Sequence, residues 1–426
     1  MKMKMESMTR EIVDSISLPE IPEYEIRLDV SSGDEIREEI LQAIGHCASR
    51  GGGRIVIPPG MFRCNGPIHL KSHIELHLSE GTFLKFSPDP ELYLPVVPTR
   101  WEGVEIWNYS PMIYGSGLTD VAITGKGVLA GGSEIRQTWR ALQKESQERV
   151  RSLEEKHIAP EQRIFGRGGY LRQSMLQLMN SERILLEDFT LTDNAFWMVH
   201  PVYCRNITIR RLSFDCMLMN NDGIDLDSCE NILVEDSVFR NGDDAVVLKS
   251  GRDQDGIRVG RPTRRAVIRN CVFAEVLHGL AIGSELSGGI EQIYAHDITM
   301  KKVFREAVSL KSTRGRGGTV RDIEISGIRV DSAGGHLICI DNAYHPVHHG
   351  DALTLFRDIT IRDVVCRRAE TVFHLQGQAE LPLENIRIQN VTVEKAGSLC
   401  SLDEFAEGVC FADVRVNGKP VGREMK

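Results

Sequence analysis

RILLEDFTL at 183–191, NITIRRLSF at 206–214 and NILVEDSVF at 231–239 are three copies of one nine-residue pattern: a polar start, apolar second and fourth places, a polar fifth and an apolar ninth. The pattern recurs upstream as DVAITGKGV from Asp120. Downstream it returns as RAVIRNCVF from Arg265, QIYAHDITM from Gln292, DIEISGIRV from Asp322, DITIRDVVC from Asp358 and NIRIQNVTV from Asn385. From the second copy onward the spacing runs from about 23 to 36 residues, and apolar residues alternate with period two inside each copy. Each copy therefore reads as a short β-strand, with one or two strands per coil. No amphipathic helices separate them, which excludes a doubly wound α/β sheet, because its crossovers need helices. A propeller would need a regular blade of about 40 to 45 residues. Variable coil length fits an all-β chain wound as a single-stranded right-handed parallel β-helix, where loops of any size leave the stack without disturbing it.

The chain has 426 residues, more than one compact core usually supports. A solenoid escapes that limit because each coil packs only on its neighbours. DEIREEILQAIGHCASRGGGRIVIPPG, from Asp34 to Gly60, reads as an amphipathic helix, a glycine stop and a first strand ending in a turn. Such a helix caps the open end of the stack. The expected organisation is an N-terminal arm over 1–33 and one β-helix domain over 34–426. A charged, helix-prone insertion at 131–163 is expected to lie across one edge of its groove.

Hydrophobic residues make up 41% and charged residues 26% of the chain, and no apolar run is long enough to cross a bilayer. A net charge of −9 argues against nucleic acid as a partner. An acidic sugar needs only a locally basic groove. Of the ten cysteines, Cys204, Cys216, Cys229, Cys271 and Cys366 lie within or beside strand-like segments and read as small buried thiols. The N-terminal stretch MKMKMESMTREIVDSISLPE has no apolar h-region, so a cytoplasmic location is expected.

Chemistry-bearing residues gather at similar phases of successive coils. They are Asn220-Asn221-Asp222, then Asn241-Gly242-Asp243-Asp244 with Lys249, then Leu277-His278-Gly279, then Ser309-Leu310-Lys311 followed by Arg314 and Arg316. Asp222 and Asp244 are 22 residues apart and Asp244 and His278 are 34 apart, each within one coil. With coils rising about 4.8 Å each, these side chains converge on one patch. Inverting hydrolysis of a glycosidic bond needs an acid and a base about 6.5–9.5 Å apart, a spacing that stacked coils supply. Crowded carboxylates also raise at least one pKa, keeping a proton available for the leaving oxygen.

These four ordered motifs resemble family 28 of the glycoside hydrolases, the polygalacturonase family, whose pattern is N-T-D, G-D-D, G-H-G and R-I-K. The resemblance runs from the capping helix to about residue 395. It implies that Asp243 is the general acid and that Asp222 and Asp244 activate the water. It further implies that His278 supports the acid's protonation and that Lys311 contacts a substrate carboxylate. It implies no metal and no cofactor, and a pectic oligosaccharide or polysaccharide as partner, with galacturonan and rhamnogalacturonan the candidate chains. Two positions depart from the pattern. Leu277 replaces a glycine and narrows the groove, and Ser309 replaces the arginine of R-I-K, which removes a bidentate carboxylate partner. That loss predicts weak action on plain galacturonan unless Arg314 or Arg316 reaches in.

Asn220, Lys249, Ser309, Arg314, Arg316 and Tyr344 complete the expected substrate contacts, Tyr344 by stacking or hydrogen bonding. Asp225 and Asp227, before a coil corner, read as structural. His345, His348 and His349 fit no rigid metal-ligand pattern. The insertion and the loop at 341–351 are expected to close the groove and favour cleavage from a chain end. Two other functions fit the same fold. One is a polysaccharide lyase, which needs Ca²⁺ and a Lys or Arg base, and the other is a non-catalytic carbohydrate-binding β-helix, which has no use for three acids and a histidine in register.

Overall fold

The computed structural model describes residues 2–344 and 350–423. Each copy of the nine-residue pattern is a strand held between two bends. Its first residue, from Asp120 and Arg183 through Asn206, Asn231, Arg265, Gln292, Asp322, Asp358 and Asn385, has φ between 49° and 58°. The sixth position repeats the bend, with φ of 53° at Asp236, 55° at Asp363 and 49° at Asn390. Asn and Asp tolerate this left-handed conformation better than other side chains, which explains the polar start of the repeat. Their side chains also stack: Asn231 Nδ2 donates to Asn206 Oδ1 at 3.2 Å, and Asn385 Nδ2 donates to Asp358 Oδ1 at 2.6 Å.

Among the described residues 27 strands join one wound sheet, almost entirely parallel. The fold is a right-handed parallel β-helix, the hand that strand crossovers favour. Each strand pairs with its counterpart one coil on, as Glu182–Glu187 does with Arg205–Arg210 and that strand with Glu230–Glu235. A second such column carries the site. It runs through Leu176–Met179, Val199–Val202, Ile224–Asp227, the C-terminal parts of Val238–Lys249 and Val272–Gly283, and Val308–Lys311.

One continuous apolar core fills the stack from Ile36 to Val416. The helix Arg37–Ser49 buries Ile40, Ala43, Ile44 and Cys47 at its N-terminal end, as the capping role requires. The N-terminal segment differs from a plain arm. Strand Glu25–Arg27 already pairs with Gly53–Ile57, and helix Lys2–Ser15 lays Met5 and Ile12 on Leu233, Val267 and Tyr294, outside the stack. All ten cysteines are free and eight are buried. No helix among the described residues is long and apolar enough to cross a membrane.

The insertion contains helices Trp139–Leu142 and Lys144–Glu155. Val150 packs with Trp101, Phe196 and Trp197, and Arg163 Nη1 donates to Asp255 Oδ1 at 2.9 Å, so the insertion is anchored over the groove. Glu154 Oε1 accepts from the Asp255 amide at 2.7 Å. Burial, outweighing that bond, pushes the Glu154 carboxyl up to about 7. The unfolded value is about 4.3, so the folded state holds a proton the unfolded chain has lost, and stability falls as pH rises between the two. Glu154→Gln keeps an accepting oxygen and should raise the thermal midpoint at about pH 8 but not at about pH 4. An equal rise at both values would refute this.

Candidate active site

Three asparagines shape the turns that present the acids. Asn194 Nδ2 donates to the carbonyls of Phe196 and Trp197 at 2.9 and 3.1 Å, and Asn221 Nδ2 donates to those of Asn194 and Phe196 at 2.9 Å. Asn241 Nδ2 donates to those of Asn221, Asp243 and Asp244 at 3.0, 3.1 and 2.9 Å. All three are fully buried, so loop carbonyls that water cannot reach find partners. Two motif glycines serve close approach: a Cβ on Gly242 would lie 2.0 Å from the Leu218 carbonyl oxygen, and one on Gly279 would lie 2.3 Å from that of Ala307.

The stacking expected from residue spacing is present. Asp244 is the direct register partner of His278, Gly283 pairs with Lys311, and the Gly223 amide donates to the Asp244 carbonyl at 2.9 Å. One oxygen each of Asp243 and Asp244 and a ring nitrogen of His278 lie within 4.8 Å of one another. Asp222, Asp243 and Asp244 open with Asn220, Lys249, Lys311 and Tyr344 into a cavity of about 390 Å³.

The acids differ in their partners. Lys311 Nζ donates to both oxygens of Asp244 at 3.0 Å. Burial works to raise the Asp244 carboxyl, but Lys311, His278 and Lys249 hold it below the ordinary carboxylate value. Among the described residues no such cation is bound to Asp243. It accepts from Asn220 Nδ2 at 3.3 Å and from the Asp244 amide at 3.1 Å, and burial and the neighbouring Asp244 charge push its carboxyl up. Burial, Asp225 and Asp243 push Asp222 well up. His278 Nδ1 lies 2.7 Å from Glu306 Oε2, so the ring is steered by a carboxylate on the next coil.

Lys249 lies in the cavity but is committed to protein carboxylates. Its Nζ is 3.0 Å from Glu285, 3.5 Å from Asp225 and 4.0 Å from Asp222, and 4.2 Å from the Trp197 ring centroid. Burial opposes its charge, yet Glu285, Asp225 and Asp222 keep the ammonium strongly protonated. Asp227 is structural, as expected: it is fully buried and accepts from Arg100 Nη1 at 2.8 Å and from the Gly251 amide at 3.1 Å. Asp225 lies beneath the cavity, where burial pushes its carboxyl well up despite Lys249.

The arginines correct the sequence reading. Arg314 is paired with exposed Glu380 and does not line the cavity. Arg316 does line it, but its guanidinium is held by Asp253 and by the Ser284 carbonyl at 2.9 Å. Neither replaces the arginine missing at 309. Ser309 and His278 face a second, adjoining cavity of about 250 Å³, which Leu277 also lines. His345, His348 and His349 lie outside the described residues.

Sequence reasoning missed Arg151, Trp197, Arg252 and Glu285, which also line the first cavity. It missed Arg172 too, whose Nη2 donates to Asn220 Oδ1 at 2.9 Å. Glu285 ends the run Ile282-Gly283-Ser284-Glu285 just after the His278 motif, its one signal in the sequence; the others carry no spacing signal.

A β-helix that presents one carboxylate with a raised pKa and one lysine-held carboxylate side by side in a cleft has the equipment of a carboxylate-dependent glycosidase. Residues 99–410 match the model of the glycosyl hydrolases family 28, and the chain belongs to that family. It is a glycoside hydrolase. A probable polygalacturonase of Vitis vinifera is 30% identical over 374 residues, covering 84% of this chain and 70% of that protein. A hyperthermoactive exopolygalacturonase of Thermotoga maritima superposes with a TM-score of 0.91 at 33% identity, over 97% of this chain and 96% of that one. The polygalacturonase of Erwinia carotovora, at 20% identity and a TM-score of 0.66 over 94% of this chain and 98% of that one, shares the fold.

Proposed function

We propose that this protein is an inverting exo-acting hydrolase that removes sugars from the end of galacturonan-type pectic chains. The observation that carries the chain-end mode is the crowding of the first cavity by groups from outside the coils. Arg151 from the insertion and Glu102 from the hairpin Val97–Trp101/Val104–Asn108 both line the first cavity, with Arg151 Nη2 4.0 Å from Glu102 Oε2. Likeness to the Thermotoga maritima exopolygalacturonase supports the same reading.

The electrostatics divide the labour. Asp243, with its raised carboxyl, gives its proton to the leaving glycosidic oxygen. Asp244, kept ionised by Lys311, takes a proton from the attacking water. Asp222, on the preceding coil, shares that water with Asp244, because Asp243 and Asp244 alone, with oxygens within 4.8 Å of each other, fall short of the about 6.5–9.5 Å acid–base separation that inversion needs. His278, steered by Glu306, faces the Asp243–Asp244 pair.

Incubation with long galacturonan tests the mode and stereochemistry together. Small sugar product should appear from the first time point with little loss of viscosity, and its initial anomer by nuclear magnetic resonance should be inverted. Viscosity collapse before small product appears would replace chain-end with internal cutting. Ultraviolet absorbance from an unsaturated product would indicate a lyase instead.

A further inference from the structure

We propose that Arg305 recognises the carboxylate of the sugar on the leaving side of the cut bond, in place of the arginine whose position Ser309 occupies. The inference rests on the galacturonan reading above. The second cavity meets the first at Lys311 and Tyr344, which line both, and it extends over the coils that follow. A sugar chain with one residue in the first cavity and its bond over Asp243 and Asp244 continues into the second.

The question is which cation there is available for an anionic sugar. Lys311 Nζ is held by both Asp244 oxygens, Arg314 by Glu380 and Arg316 by Asp253. His374 lines the second cavity, but burial, outweighing the nearby Asp341 charge, lowers its pKa, and its Nδ1 is already engaged with Ser401 Oγ at 2.9 Å. Arg305 is exposed, lines the same cavity as Ser309, and among the described residues no carboxylate pairs with it.

Its backbone is pinned on both sides. The Arg305 amide donates to the Leu277 carbonyl at 2.8 Å, and its own carbonyl accepts from the Gly335 amide at 3.0 Å. The guanidinium thus stands on a fixed base with its donors unspent, the state in which a bidentate carboxylate contact costs least ordering. The carboxylates that line the same cavity have partners of their own: Glu306 lies between His278 at 2.7 Å and His336 at 3.3 Å, and Asp341 Oδ1 accepts from the Ala343 amide at 2.8 Å.

The test compares wild type, Arg305→Gln and the double variant Arg305→Gln/Ser309→Arg on two trisaccharides. One is trigalacturonate; the other is the same trisaccharide methyl-esterified at the second sugar from the cut end. Arg305→Gln should lose roughly ten- to hundredfold in kcat/KM on the free acid, the size of one charge-assisted contact. On the ester it should stay within about twofold of wild type, which also controls for misfolding. Ser309→Arg should restore activity on the acid. Equal losses on acid and ester, or none on the acid, overturn the role of Arg305. A wild type inert on both trisaccharides would remove the proposed function and this assignment with it.

Discussion

Asp243→Asn is expected to lower kcat on galacturonan by about 10²- to 10⁴-fold, the range contributed by a positioned acid, with the thermal midpoint little changed. Asparagine matches aspartate in shape and its one amide oxygen still accepts from the Asp244 amide, so the turn survives, while the longer 3.3 Å bond from Asn220 Nδ2 is given up because an NH2 group cannot accept it. What it lacks is a proton to give. Of the two acids grouped with His278 at the first cavity, Asp243 is the one whose carboxyl is raised, while Asp244 is held below the ordinary carboxylate value by Lys311. A nitrophenyl galacturonide, whose leaving group needs no protonation, separates the roles. Asp243→Asn should retain most activity on it, whereas Asp244→Asn should lose activity on both substrates because the base is gone. Near-normal turnover of galacturonan by Asp243→Asn, or equal losses on both substrates, would refute the assignment.

Arg100→Met should destabilise the protein by about 3–5 kcal/mol at neutral pH, the usual effect of stripping one partner from a buried ion pair. Arg100 and Asp227 are both fully buried, with Nη1 2.8 Å from Oδ1, and Arg100 Nη1 also donates to Ser228 Oγ at 2.8 Å. Burial alone would raise the Asp227 carboxyl, but Arg100 and His200 hold it below the ordinary value. A depressed carboxylate contributes stability above its unfolded pKa of about 3.9, and that contribution disappears as pH falls through the folded value. Without Arg100 the buried carboxyl is pushed up instead, so the variant's deficit should be larger at about pH 7 than at about pH 4 in denaturant titrations. A deficit below about 1 kcal/mol, or one independent of pH, would show that Asp227 finds another partner. Because Asp227 also holds the Gly251 amide, beside cavity-lining Arg252, the variant should lose activity with stability.

What the sequence alone determined is whatever repeats or stacks. The polar first position of each nine-residue copy is the left-handed bend, so Asn206, Asn231 and Asn385 announced both the strand and its boundary. The same periodicity put Asp244 opposite His278, because neighbouring coils of a solenoid lie in register. The capping helix was legible because its buried Ile40, Ala43, Ile44 and Cys47 recur at helical spacing. Tertiary structure decided the rest. Lys311, expected to hold a substrate carboxylate, gives its ammonium to Asp244, and Lys249 gives its own to Glu285. Arg314 and Arg316, close to the site in sequence, are spent on Glu380 and Asp253, while Arg305, in no motif, is left exposed at the second cavity. Arg151 reaches the site from an insertion with its own packing, through Val150 against Trp101 and Phe196. Periodicity places backbones at a given phase of the coil, but a long charged side chain can reach any of several carboxylates within its radius. Which one it takes depends on burial and on neighbouring charges that only the folded arrangement brings together.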